Sequence, residues 1–98
     1  MLFQQGDVLI QAVSEVKGKK LNHKTLAQGE ATGHHHTITE GDAELYEHEG
    51  TMYLRVNSEE AVVTHEEHKA VTLPKGDYIV RRVREADHYS DEVRNVQD

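Results

Sequence analysis

Four histidines carry most of the chemistry this sequence offers: His34 and His36 in "GHHHTITE", and His65 and His68 in "THEEHKAV". An extended strand sends successive side chains to opposite faces, so His34 and His36 point one way and His35 the other. That spacing presents two imidazoles to one ion. The second pair stands three residues apart. On a strand its members face opposite ways. In a tight turn between strands they converge, or Glu67 joins His65 on one face. His-Glu-Glu-His is not the His-Glu-x-x-His of zinc proteases, which needs a spacing of four on a helix, so that class is excluded. Neutral imidazole suits zinc, iron, nickel, copper and manganese, and a carboxylate beside it favours the harder ions. The expected cofactor is a divalent metal ion (zinc, iron or manganese) held by His34, His36 and one of His65 or His68. Three protein ligands and an open position are the pattern of a catalytic metal rather than a structural one. In a small hydrolase or lyase of that kind, Glu66 or Glu67 is the candidate general base on a metal-bound water. The same imidazoles also fit a pH sensor, because clustered histidines become mutually repelling cations near about pH 6. An expression tag is excluded as their origin: tags are terminal and longer, whereas this run is internal and continues into Ile38 and Thr39.

Short β-type runs separated by glycine or polar turns must position these side chains. "GDVLIQAV" opens with a turn and gives a strand from about Asp7 to Val13. "SEVKGKKLNHKT" reads as a lysine-rich loop around Gly18. "LAQGEAT" is a weak strand broken or bulged at Gly29, and "HHHTITE" is a strand ending at Gly41. "AELYEHEG" and "TMYLRV" flank a hairpin turn at Gly50. "AVVTH" and "KAVTL" flank "EEH", "PKGD" reads as a turn led by Pro74, and "DYIVRRVRE" is a last long strand. No segment holds a helical period for more than about two turns. The expected fold is all-β: a single small barrel, roll or sandwich of about seven or eight antiparallel strands. It forms one domain over residues 1–98, with a polar C-terminal tail from about residue 86. The apolar members of the alternating runs give the expected core: Val8, Ile10, Leu45, Leu54, Val56, Val62, Val71, Leu73, Ile79 and Val83. Arg82 shares a face with Tyr78 and Val80, and Arg81 with Ile79 and Val83. One of these arginines therefore lies near the core face and needs a carboxylate or an exposed edge.

Composition narrows the function classes. Hydrophobic residues make up 36% and aromatics 5% of 98 residues. The core is therefore lean, and a metal or a homo-oligomer would help it. A net charge of -7 disfavours nucleic acid, and the cluster of Lys17, Lys19, Lys20 and Lys24 reads as a solvated loop. With no cysteine, disulfides, thiolate metal sites and cysteine nucleophiles are excluded. No apolar run approaches the roughly 18–20 residues of a membrane span. The N-terminal segment lacks a basic n-region and a small-residue cleavage site, so the expected setting is cytoplasmic. The competing function is a non-catalytic protein-interaction or homo-oligomeric binding module. It would use an edge strand or the tail, with Arg81, Arg82, Arg84 and Glu85 as charged surface.

Two resemblances follow from these motifs. "GEATGHHHTITEGDAELYEHEG" is similar to the first cupin motif, with Gly29, His34, His36, Glu40 and Gly50 in its places, one residue fewer in the first spacer and three more in the last. "LPKGDYIV" resembles the Pro-x-Gly turn of the second cupin motif through Pro74 and Gly76, but the motif's histidine falls at Ile79, which cannot ligate. That resemblance implies a small β-barrel with His34, His36 and Glu40 as ligands. A longer resemblance, over about residues 5 to 98, is to small uncharacterised proteins encoded by bacteria and their phages. These share Gly-Glu-x-Thr-Gly-His-x-His, then His-Glu-Glu-His, then Leu-Pro-x-Gly-x-Tyr. It implies that His34, His36, His65 and His68 belong to one pattern, and that "RVREAD" is part of the fold.

Overall fold

The computed structural model describes residues 1–28 and 35–82. They form β1 (Leu2–Gln5), β2 (Val8–Val13), β3 (Lys19–Lys20), β4 (Thr25–Gln28), β5 (His35–Glu40), β6 (Ala43–His48), β7 (Thr51–Thr64) and β8 (Val71–Arg82). The eight strands make one sheet in the order β1-β2-β8-β7-β5-β4, with β6 added to β7 and β3 to β6. Every pairing is antiparallel. The all-β expectation holds. No described helix is long and apolar enough to cross a membrane.

Local chemistry explains the two tight hairpins. Gln5 pairs with Val8, leaving Gly6 and Asp7 as a two-residue loop with φ of 57° at Gly6. A glycine at the first central position supplies that left-handed conformation without a Cβ clash. His48 pairs with Thr51 across Glu49 and Gly50, whose φ values are 50° and 79°. Positive φ at both central residues matches the strand twist, which is why a Gly-containing pair closes this hairpin.

The 14-residue β7 is the spine. β8 runs along most of its length, β6 covers its first part and β5 its last. Val56 faces Gly76 and Glu60 faces Pro74, so four steps along β7 match two along β8. This bulge bends the strand and reverses which residues face inward. It corrects three sequence expectations. "TMYLRV" and "AVVTH" are one strand, with the polar "NSEE" spanning the bulge. Ala61 and Val63 are buried while Val62 is only half-buried, one residue out of step with the expected pattern. "PKGD" is not a turn but part of β8. Pro74 is tolerated there because β2 reaches along β8 only over Asp77–Arg82, so among the described residues β8 has no strand on that side at the proline.

The main core contains Val8, Ile10, Leu45, Leu54, Val56, Val71 and Leu73, as expected, joined by Leu26, Ile38, Tyr78 and Val80 among others. Ile79 is buried but lies outside this cluster, because its β8 neighbours Tyr78 and Val80 are the ones that point into it and Ile79 faces the other way. Val83 lies outside the described residues, as does the expected C-terminal tail. The strands β1 and β3 were not expected: "LFQQ" has no alternation to mark it, and β3 is a two-residue pairing of an otherwise polar loop. Leu54 has no exposure. Leu54→Ala should therefore lower unfolding free energy by roughly 2–5 kcal/mol in a urea melt, and a loss under about 1 kcal/mol would show that the cavity had collapsed.

Candidate functional site: an imidazole cluster

The inward face of the sheet turns polar at one end. Gln5, Val8 and Arg82 stand side by side across β1, β2 and β8. Val8 has no exposure, so this row points to the core side, and Gln5 is equally buried. On β5, His36 lies two residues before the core residue Ile38 and shares its face; it is 1% exposed. The connection between β7 and β8 brings in His65 and His68. Ring centroids are 4.3 Å apart for His36–His65, 4.6 Å for His65–His68 and 6.3 Å for His36–His68. The two histidine motifs, 29 residues apart from His36 to His65, meet in space. His34 lies outside the described residues. Glu40 is exposed at the far end of β5. Four strand steps, about 13 Å, separate it from His36, so it stands apart from the cluster.

Gln5 organises the group. Its amide nitrogen donates to the backbone carbonyls of Val63 (3.0 Å) and Lys69 (2.8 Å), which flank the segment carrying His65 and His68. Both amide hydrogens are thereby used and the amide orientation is fixed. Its Oε1 is then an acceptor, 2.9 Å from His36 Nδ1. Nδ1 must therefore carry the proton. In neutral His36 this leaves a bare lone pair on Nε2.

That lone pair faces Asp7, whose Oδ1 is 3.5 Å from Nε2. The other carboxylate oxygen of Asp7 accepts from Arg82 Nη2 at 2.6 Å and Nε at 3.1 Å. Of the two arginines left open by the sequence, Arg82 is the one that shares the inward face of Tyr78 and Val80, and it has its carboxylate partner in Asp7. Burial first, and then the neighbouring His65, lower the His36 pKa to about 4, against an upward pull from Asp7. His36 is neutral at pH 7. The unfolded chain takes up this proton near about pH 6.5 and the folded chain only near 4, so stability is complete above the unfolded pKa and is lost as pH falls between the two. Chelator-treated protein should lose up to about 3 kcal/mol over that window, and His36→Gln should flatten the slope in denaturant melts at stepped pH.

The remaining residues fix the loop. The Glu67 backbone N–H donates to His65 Nδ1 at 3.0 Å, so the proton of neutral His65 is on Nε2. Glu66 Oε1 accepts from the His35 backbone N–H at 2.8 Å, tying the loop to β5. A Cβ on Gly6 would lie 2.6 Å from His68 Nε2, so the hairpin glycine also makes room for that ring. His35 lines a groove on the other side of β5, as the alternation requires. Among the described residues no three His, Asp or Glu side chains are arranged to hold a metal ion. The two closer ring pairs are tilted by 35° and 43°, and Nδ1 of His36 and Nδ1 of His65 are each engaged in a hydrogen bond to the protein. Of the potential bases, Glu66 and Glu67 are both exposed. The important residues absent from the sequence expectations are Gln5, Asp7 and Gly6. Only the Gly-Asp turn had a readable signal; Gln5 sits on the strand that was not recognised.

The chain belongs to a family described as a domain of unknown function, DUF8820, which matches residues 4–83. No curated protein and no solved structure matches it. The family match agrees with the expected kinship to a domain family without assigned activity; the cupin resemblance gains nothing from these comparisons.

Proposed function

With membership of the DUF8820 family as the premise, we propose that this domain binds one divalent transition-metal ion at the imidazole cluster. His36 Nε2 is the fixed anchor, and His65 and His68 are the movable ligands. His34 stays a candidate on its sequence spacing alone. The observation that carries the reading is the contact of His36 Nδ1 with Gln5 Oε1, which sets the tautomer of His36. A metal-ligating histidine characteristically donates its other ring N–H to a carbonyl or carboxylate, which aims the lone pair, and the Gln5 amide supplies that acceptor here. Spacing also supports it. Three imidazoles on one tetrahedral ion, with metal–nitrogen bonds of about 2.0–2.1 Å, have ring centroids about 5 Å apart. The separations of 4.3, 4.6 and 6.3 Å bracket that value. A cation near Nε2 would also give the facing Asp7 carboxylate a favourable partner.

Binding requires the His65 and His68 rings to turn about their Cβ–Cγ bonds. His65 must also give up its Glu67 contact, because a metal on Nδ1 takes the lone pair that accepts from the Glu67 N–H and a metal on Nε2 moves the proton to Nδ1. Both residues sit on the short connection between β7 and β8 and are half-buried. Zinc, iron and manganese all accept this donor set, and no reaction is assigned to it. The test is calorimetric titration of zinc into chelator-stripped, untagged protein. One equivalent with a Kd below about 1 µM is expected; no binding tighter than about 100 µM overturns the proposal.

A further inference from the structure

The outer side of β5 carries a second feature. A groove of about 490 Å³ opens there, lined by Thr25, Thr37, Thr39 and Thr64 together with His35 and the connection bearing His65 and Glu66. Strand register accounts for the hydroxyls. Thr25 faces Thr37 and Thr37 faces Thr64, so one row crosses β4, β5 and β7. Thr25 Oγ1 and Thr37 Oγ1 are 3.4 Å apart. The Glu66 carboxylate, held by the His35 backbone N–H at 2.8 Å, makes a fixed wall. Threonine is common on exposed strand faces because it suits the pleat. Here, however, the row lies in a concavity with a tethered carboxylate and two imidazoles, and its size is within the range of small-molecule sites.

The chemistry of the lining selects the ligand. Among the described residues neither lysine nor arginine lines the groove, whereas a glutamate does, and the chain carries -7 overall. An anion is therefore repelled. Each threonine offers one donor, two acceptor lone pairs and a methyl group. A row of such groups matches a molecule whose surface alternates hydroxyl and C–H. We propose that this groove binds an uncharged, hydroxyl-rich small molecule of about monosaccharide size. The site is separate from the metal proposal: His65 borders both, but the threonine row needs no ion.

The test uses the full chain with isotope-labelled threonine methyls, in excess chelator so that the metal plays no part. Glucose and sorbitol are titrated as uncharged probes and gluconate as the anionic one. Saturable shifts confined to Thr25, Thr37 and Thr64 are expected for an uncharged probe, with gluconate weaker. Thr37→Val keeps the shape and removes one hydroxyl, and should weaken that binding roughly 5- to 10-fold, the effect of one neutral hydrogen bond. An unchanged spectrum elsewhere in the variant certifies its fold. Absence of saturable shifts up to about 100 mM, where even a millimolar site would be full, overturns the proposal. So does gluconate binding as tightly as the sugars, or an unchanged affinity in Thr37→Val.

Discussion

Gln5→Ala is expected to lower unfolding free energy by about 4 kcal/mol, a large effect for a polar residue on a four-residue strand. The side chain has no exposure, and three hydrogen bonds end on it. Its loss leaves the Val63 carbonyl, the Lys69 carbonyl and the His36 Nδ1–H without this partner. Each buried group left unsatisfied costs about 1–3 kcal/mol, reduced where water enters the space. Gln5→Glu should be nearly as damaging, since a carboxylate has no hydrogens for two carbonyls. The neighbour Gln4 is the control. Among the described residues its amide donates to the Gly6 carbonyl alone, at 2.8 Å in a half-buried setting, so Gln4→Ala should cost about 1 kcal/mol or less. Urea melts of the three variants check this, and equal losses at Gln4 and Gln5 would contradict the assigned role.

The second large effect concerns the ion. His36→Ala should weaken zinc binding by at least about 100-fold, beyond what loss of an outer partner brings, because the pre-aimed donor itself is gone. His35→Ala should leave affinity within about twofold, since that ring stands on the other face of the strand. Gln5 variants that remain folded should fall between, with a loss of roughly 10- to 100-fold, as their His36 keeps its nitrogen but not its orientation. Equal affinities in the His35 and His36 variants would remove the cluster from consideration as the site.

Much of this arrangement is readable from residue order, and the failures have physical causes. The apolar run after Gly6 marks β2, whose Val8, Leu9 and Ile10 are all buried, and period-2 alternation marks β5 and β6, each a short run with one buried face. It also separated His35 from His36. It failed across β7 and β8. A bulge between Val56 and Glu60 has no residue signature of its own, yet it exchanges the inward and outward sets, so Ala61 and Val63 replaced Val62. Proline and glycine in "PKGD" imitate a turn, and they fit a strand here because, among the described residues, no strand pairs with that side of β8 at Pro74. The meeting of His36 with His65 and His68 rests on β5 pairing with the end of β7. That contact is set by the global topology rather than by local propensity. Gln5 was unreadable for the same reason: its value lies in three partners distant along the chain, at residues 36, 63 and 69.

The most direct test of the central claim is a crystal structure of the zinc-loaded protein, with zinc located by its anomalous scattering. One zinc about 2.0–2.2 Å from His36 Nε2 is predicted, with His65 and His68 turned toward it and Nδ1 of His36 still bonded to Gln5. Zinc bound only at other histidines, with His36 Nε2 unliganded in fully loaded crystals, would contradict it.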